Sequence, residues 1–201
     1  MIQYQLILKG QFMHFKKFIL VSLLTSTTLL FSQSTLALNV NDEDFELEGA
    51  IDIAAFSEYS NGTTYMINAN FINTEIESLA NIGLNANNSF QGVEGLNLSL
   101  GLNMVYLEDY WAFPLMAKAS YALPLIEEIP TISLSAKVLY APSVLSFDEA
   151  EDYLEFRTEA GMEVINAVSI YVGYRNIEAV YYDIPQKSFN DSFYGGLKIG
   201  F

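Results

Sequence analysis

Leu96-Asn97-Leu98-Ser99-Leu100-Gly101-Leu102-Asn103-Met104 is the stretch that decides the fold class. Every second residue in it is large and apolar, and Asn, Ser, Gly and Asn stand between them. An α-helix would need apolar residues at intervals of three and four, which this stretch lacks. Alternation at a period of two predicts a β-strand with one apolar and one polar face.

The same alternation recurs along most of the chain. The predicted strands lie near residues 63–72, 78–87, 95–106, 111–123, 130–141, 152–164, 168–178 and 191–201. They are longer than the roughly 5–6 residues of an average strand, and they suit the roughly 9–11 residues that cross a bilayer at a tilt. Short joints (165–167) and long polar ones (142–151, 179–190) are typical of outer-membrane barrels. Residues 62–201 are therefore predicted to form an all-β, antiparallel, up-and-down transmembrane β-barrel of eight strands.

The segment before residue 62 is harder to place. Residues 45–56 also alternate, with Phe45, Leu47 and Ile51 on one face and acidic residues on the other. A ninth strand would give an odd number and leave the two chain ends on opposite sides of the membrane. Residues 38–61 are accordingly predicted to be an acidic N-terminal segment or a partial strand.

The N-terminus has the pattern of a secretory signal peptide. A short basic region, Met13–Lys17, precedes the apolar run Phe18–Leu24, and Thr35-Leu36-Ala37 offers small residues for a signal peptidase. The apolar core is shorter than the roughly 20 residues of a membrane-spanning helix. Residues 1–37 are predicted to be a signal peptide, with translation starting at Met13 and cleavage after Ala37.

Charge and composition exclude several classes of function. The chain has a net charge of −15 and no run of basic residues, which argues against binding to nucleic acid. It has no Cys, and its one His, His14, lies in the predicted signal peptide. Without His, the exported chain cannot form a Ser-His triad or an Asp-His pair. We therefore expect no enzymatic activity and no cofactor.

One acidic stretch allows an alternative chemistry. Asp148, Glu149, Glu151 and Asp152 could supply a carboxylate pair for catalysis or oxygen ligands for calcium. Their spacing lacks the glycine turn and the regular ligand positions of a known calcium loop. A solvated acidic loop at the cell surface is the favoured interpretation.

Most of the basic residues share the polar face of the predicted strands. In a membrane barrel that face points inward, where isolated charges are costly and must pair. The predicted lumen network consists of Lys118, Lys137, Glu155, Arg157, Glu159, Glu163, Arg175 and Lys198. It could act as a polar plug or as a narrow path for ions. A barrel of eight strands is filled by its own side chains, which favours the plug.

The alternation of apolar and polar residues does not by itself distinguish a membrane barrel from a soluble barrel with an apolar interior. The signal peptide and the strand lengths favour the membrane. So do the aromatic residues near the predicted strand ends, as interfacial girdles require. These aromatic residues are Tyr106, Tyr110, Trp111, Phe113, Tyr121, Tyr140, Tyr153, Tyr174, Phe193 and Phe201.

Three stretches, Tyr140–Phe147, Asp152–Arg157 and Val168–Ile177, resemble the YfaZ family of outer-membrane proteins of Gram-negative bacteria. The resemblance implies a small outer-membrane barrel, sometimes described as porin-like, without an established activity or a catalytic residue set. It also makes the terminal Phe201 similar to the assembly signal that the outer-membrane insertion machinery reads. That machinery and outer-membrane lipid are the partners the resemblance implies.

The sequence thus predicts a non-enzymatic barrel of the bacterial outer membrane with a structural, envelope or surface-interaction role. A porin-like channel for small solutes or ions is the first alternative. A soluble periplasmic barrel that binds an apolar ligand is the second.

Overall fold

The computed structural model describes residues 34–53, 62–75, 77–108, 110–123, 130–181 and 184–201, and for residues 184–188 it describes the backbone only. All of the predicted signal peptide except residues 34–37 lies outside these ranges. Within them no helix is long and apolar enough to span a membrane.

The described residues form twelve β-strands and a single 3-10 turn at Ser143–Leu145. The strands are β1 Thr35–Val40, β2 Asp44–Asp52, β3 Thr63–Thr74, β4 Ser78–Ser89, β5 Leu96–Leu107, β6 Tyr110–Ala112, β7 Leu115–Ala122, β8 Ile132–Ala141, β9 Ser146–Asp148, β10 Ala150–Ile165, β11 Val168–Tyr181 and β12 Ile184–Gly200.

Ten of these strands close into an antiparallel ring. They follow one another in chain order, β1-β2-β3-β4-β5-β7-β8-β10-β11-β12, and β12 returns to pair with β1. The remaining two, β6 and β9, pair with each other beyond the ring, where β6 continues from β5. The all-β, up-and-down barrel is confirmed, whereas the predicted count of eight strands is wrong.

The two additional ring strands are β1 and β2, which come from the segment that sequence analysis set aside. They form a hairpin because the Asn41 side chain accepts hydrogen bonds from the backbone N–H groups of Glu43 (2.8 Å) and Asp44 (2.7 Å). Part of β1, Thr35–Ala37, lies within the predicted signal peptide. Cleavage after Ala37 would remove these three strand residues, and it stays a prediction.

An even number of strands brings both described chain ends to one end of the barrel, which we call the terminal end. There the backbone N–H of Phe201 donates to the carbonyl of Ser34 at 2.9 Å. The opposite end, which carries the β1–β2 hairpin, β6 and β9, is called the distal end.

Three predicted segments differ from the structure. The predicted strand 111–123 is divided at Phe113-Pro114, because Pro114 has no backbone N–H to donate, and β6 and β7 pair with β5 in the same register on either side of it. The predicted loop 179–190 is mostly strand, since β11 runs to Tyr181 and β12 begins at Ile184. The predicted loop 142–151 contains β9.

The outer face of the ring is apolar and the inner face is polar. In β5, the outward residue Leu100 is 68% exposed, whereas the inward residue Asn103 is 3% exposed. A soluble protein does not display a continuous apolar belt of this kind. The alternative of a soluble barrel with its apolar face inside is therefore wrong. Exposed members of the belt include Leu38, Leu47, Ile67, Phe71, Ile82, Leu84, Leu98, Leu102, Leu115, Leu134, Val138, Phe156, Ile170, Val172, Leu197 and Ile199.

An apolar layer fills the lumen at the distal end. Its buried side chains include Ile72, Leu79, Val105, Leu107, Tyr110, Met116, Leu139, Tyr153, Ile177 and Tyr181. The rings of Tyr110 and Tyr181 lie 5.0 Å apart, and the Tyr110 hydroxyl donates to the carbonyl of Asp152. Tyr110 and Tyr153, which were predicted as members of an interfacial girdle, are thus part of this internal layer.

The turn between β10 and β11 contains a strained residue. Ala167 has a φ of 64°, in the left-handed region where a Cβ costs roughly 1–2 kcal/mol. Its backbone N–H donates to Glu163 Oε1 at 2.9 Å, which holds the residue in that conformation.

Replacing Ala167 with Gly is expected to raise the free energy of unfolding by about 1 kcal/mol, because Gly adopts φ > 0 without a steric cost. Urea unfolding of the barrel folded in lipid vesicles measures the change. Ala86→Gly, inside β4, is the matched control and should lower the free energy by about 0.5–1 kcal/mol. Equal shifts in both variants would contradict the prediction.

Candidate functional site

A row of four cations lines one wall of the lumen. Lys118 on β7 lies directly opposite Lys137 on β8, Lys137 lies opposite Arg157 on β10, and Arg157 lies opposite Arg175 on β11. Like charges in directly opposed positions destabilise a sheet. This basic row therefore needs carboxylates from elsewhere in the barrel.

The facing carboxylates come from β2. In the ring of ten, β2 is five strands from β8 in either direction, so the two strands stand on opposite walls. Asp44, Glu46 and Glu48 point inward from β2, and Glu46 is completely buried. The lumen therefore has a basic wall and an acidic wall.

Glu46 joins two arginines of the basic row. Its carboxylate lies 2.8 Å from Arg157 Nη1 and 2.6 Å from Arg175 Nη1. Arg175, also completely buried, makes a second ion pair with Asp44. These contacts cross the lumen from one wall to the other, just on the terminal side of the apolar layer.

Neutral side chains add hydrogen bonds to Glu46, Arg175 and Asp44 in this cluster. Asn39 Nδ2 donates to Glu46 at 2.9 Å, and Asn70 Nδ2 donates to it at 2.6 Å. Asn190 accepts from Arg175 Nε at 2.8 Å and donates to Asp44 at 2.8 Å. A buried ion pair is sustained only when its remaining polar atoms are satisfied in this way.

A second buried carboxylate forms ion pairs with the two middle cations of the basic row. Glu155, completely buried, lies 2.5 Å from Arg157 Nε and 3.3 Å from Lys137 Nζ. The Tyr153 hydroxyl donates to its other oxygen at 2.6 Å. Arg157 is therefore held between Glu155 on its own strand and Glu46 across the lumen.

The other predicted network residues lie nearer the terminal end. Lys198 Nζ and Glu159 are 3.7 Å apart, and the Tyr194 hydroxyl donates to Glu159 at 2.8 Å. Lys118 has no salt bridge to any side chain that the structure describes. Glu163 lies apart from the ion pairs, since it holds the Ala167 turn.

The sequence interpretation missed the acidic wall. Asp44, Glu46 and Glu48 were assigned to a segment outside the barrel, and Asn39 and Asn190 carry no charge to attract attention. The available signal was the alternation of Glu46 and Glu48 with Phe45 and Leu47, which marks the same inward parity.

Two tyrosines fill the lumen beside this cluster by lying over glycines. Tyr171 on β11 is the direct partner of Gly196 on β12, and Tyr194 on β12 is the direct partner of Gly173 on β11. A Cβ on Gly196 would come within 2.5 Å of Tyr171 Cζ. The Tyr171 hydroxyl donates to Asn39, so this ring links β11 to β1.

A polar cavity of about 520 Å³ extends from the ion-pair cluster to the terminal end. We call it the terminal cavity. Its lining contains the amides Asn68, Asn85, Asn87, Asn88, Asn97 and Asn103, the hydroxyls Thr35, Thr64, Ser89, Ser99 and Ser120, and the charged residues Glu48, Lys118, Lys137 and Lys198.

Across the described parts of the chain, no three acidic, His or Cys side chains are arranged to hold a metal ion. This includes the loop residues Asp148, Glu149, Glu151 and Asp152, so the calcium alternative gains no support from the geometry.

A protein-family model described as "YfaZ precursor" matches residues 28–201. The chain belongs to this YfaZ family. The match spans the whole described barrel, and the word "precursor" agrees with an N-terminal export signal. No curated protein sequence matches this YfaZ family member.

Several solved structures have a similar fold. "Bacterial polysaccharide outer membrane secretin" is 9% identical with a TM-score of 0.47, over 83% of this chain and 69% of that one. "KdgM porin" is 9% identical with a TM-score of 0.41, over 84% and 99% of the two chains. "NanC porin" is 8% identical with a TM-score of 0.40, over 83% and 98%. At these identities the likeness shows the fold alone.

Proposed function

We propose that this YfaZ family member is a non-enzymatic barrel of the bacterial outer membrane whose lumen is closed, with a structural or envelope role. The observation that carries the proposal is the bridge from Glu46 on one wall to Arg157 and Arg175 on the other. The apolar layer at the distal end adds support for a closed lumen.

The outer surface supports the membrane location. Its apolar belt follows every ring strand, and the charged side chains of the five lumen cations point away from it. In lipid, only a closed barrel or a helix satisfies all backbone hydrogen bonds, and the ring of ten strands is closed. Outer-membrane lipid is accordingly the proposed partner of the belt.

The closed lumen predicts that the purified barrel, reconstituted in a planar bilayer, carries no steady current. A general porin in the same bilayer provides the positive control, and heat-modifiable mobility in a detergent gel verifies that the barrel is folded. Reproducible, stable conductance steps from the folded protein would overturn the closed lumen. They would favour the porin-like alternative, in which the apolar layer moves aside.

The non-enzymatic part of the proposal depends on residue types. Beyond residue 37 the chain has no His and no Cys, which removes the usual general base and the thiol nucleophile. The buried carboxylates Asp44, Glu46 and Glu155 are held in ion pairs. A paired, buried carboxylate is a poor candidate for proton transfer.

The C-terminal residue supports a proposed partner of assembly. Phe201 follows β12 directly, and β12 is the strand that closes the ring against β1. As the family resemblance implies, an aromatic residue directly after this closing strand fits recognition by the outer-membrane insertion machinery.

A further inference from the structure

The terminal cavity concentrates positive charge in a strongly acidic protein. From residue 38 onward the chain has only six basic residues against 24 acidic ones. Three of the six, Lys118, Lys137 and Lys198, line this one cavity, and Glu48 is the only carboxylate in the lining that the structure describes. The cavity therefore has the opposite charge to the protein as a whole.

The neighbouring carboxylates are already shared among several cations. Glu155 contacts Arg157 at 2.5 Å as well as Lys137 at 3.3 Å. Glu48 lies 3.6 Å from Arg157 and also accepts from Asn39 at 3.2 Å. Among described side chains, Lys118 lacks a salt bridge altogether. Of the three lysines, Lys198 pairs with Glu159 at 3.7 Å, Lys137 shares Glu155 with Arg157, and only Lys118 is left without a described carboxylate.

The rest of the lining offers hydrogen bonds to a neutral polar group. Amide and hydroxyl side chains make up most of it. The Oδ1 atoms of Asn68 and Asn103 are buried and have no hydrogen-bond partner among the described residues. An unpaired buried acceptor is unfavourable, and rotation of either amide toward the cavity would let a ligand hydroxyl donate to it. A simple halide or acetate ion has no such donor.

We propose that the terminal cavity is a binding site for a small organic anion that carries hydroxyl groups. Lys118, Lys137 and Lys198 would hold the anionic group, and the asparagines would bind the hydroxyls. A volume of about 520 Å³ lies within the roughly 300–1,000 Å³ of small-molecule sites. This site goes beyond the proposed structural role, and it does not depend on whether the distal end is closed.

Calorimetry on the folded barrel in detergent, at constant ionic strength, tests the site with two probes, gluconate and glycerol 3-phosphate. At least one is expected to bind saturably. Sorbitol, the uncharged polyol that matches gluconate, and acetate, an anion without hydroxyls, should bind at least about tenfold more weakly. Failure of both probes overturns the proposal, and acetate binding as tightly as gluconate overturns its hydroxyl part.

A pair of variants locates the site. Lys118→Gln is expected to weaken binding of the probe at least about tenfold, and it should fold because it relieves the opposition to Lys137. Lys187→Gln removes the same charge from the part of β12 that pairs with Ala179, near the distal end, and should leave the affinity unchanged. Equal affinities in Lys118→Gln and the wild type would place the binding elsewhere and overturn the assignment.

The conductance experiment and the binding experiment test two separate proposals. A barrel that conducts and binds gluconate contradicts only the closed lumen. A silent barrel that binds neither probe contradicts only the terminal cavity.

Discussion

Replacing Glu46 with Gln is expected to lower the free energy of unfolding of the barrel by about 3–5 kcal/mol, the usual cost of breaking a buried ion pair from one side. Glu46 is completely buried and lies within 2.8 Å of Arg157 and 2.6 Å of Arg175. Gln keeps the size of the side chain but removes its charge. Two buried guanidinium groups would then share only Asp44, Glu48 and Glu155.

Urea unfolding in lipid vesicles measures this loss, with the fluorescence of Trp111, the single tryptophan, as the probe. The matched control is Glu43→Gln, which removes the same charge from the exposed β1–β2 turn and should change the free energy by less than about 0.5 kcal/mol. If the two variants unfold alike, the bridge across the lumen does not hold the barrel together.

The fold was largely predictable because a strand that faces lipid and lumen must alternate. That rule located eight of the ten ring strands and assigned the apolar face outward in a membrane barrel. The count failed at the N-terminus, where β1 overlaps the apparent cleavage motif Thr35–Ala37. With β1 counted as part of the signal peptide, β2 looked like an unpaired ninth strand. Its alternation, visible at Phe45 and Leu47, was then discounted.

The interior was predictable only in part. Parity is a local property, so it placed Arg157 and Arg175 on the inward face without any knowledge of the ring. Which carboxylate meets which cation depends on strand number and stagger, since these decide the walls that face each other. Glu46 is 111 residues from Arg157 in the chain, and only ring closure brings them together. No local pattern carries that information.

The apolar layer is a second feature that alternation could not reveal. Ile72, Leu107 and Ile177 are inward residues near the distal end, and they are apolar although other inward residues of the same strands are polar. In the sequence they look like irregular strand ends. They belong to a layer that also contains Tyr110 of β6, and only the folded barrel brings these residues together.

Replacing Gly196 with Ala is expected to destabilise the barrel by about 3 kcal/mol, at the upper end of the cost of overpacking. The new Cβ would contact Asn39 Oδ1, and it would lie 2.5 Å from Tyr171 Cζ and 2.7 Å from its hydroxyl oxygen. The ring is enclosed beside Ala37 and Tyr194, so it cannot move away freely. Displacing it would also break the hydrogen bond to Asn39, which in turn bonds Glu46. The substitution at β12 is therefore also expected to disturb the ion pairs of Glu46.

Gly49 on β2 offers a matched control, because a Cβ there meets nothing within 4 Å. Gly49→Ala is expected to be neutral or slightly stabilising, since Ala restricts the unfolded chain more than Gly does. Urea unfolding compares the two variants under the same conditions. The double variant Gly196→Ala, Tyr171→Ala should lose less unfolding free energy than the sum of the two single variants. In the double variant the new Cβ no longer meets the tyrosine ring. Strict additivity, or equal losses at Gly196 and Gly49, would mean that the tyrosine does not rest on the glycine. Backbone pairing, and not the packing of Tyr171 on Gly196, would then hold β11 to β12.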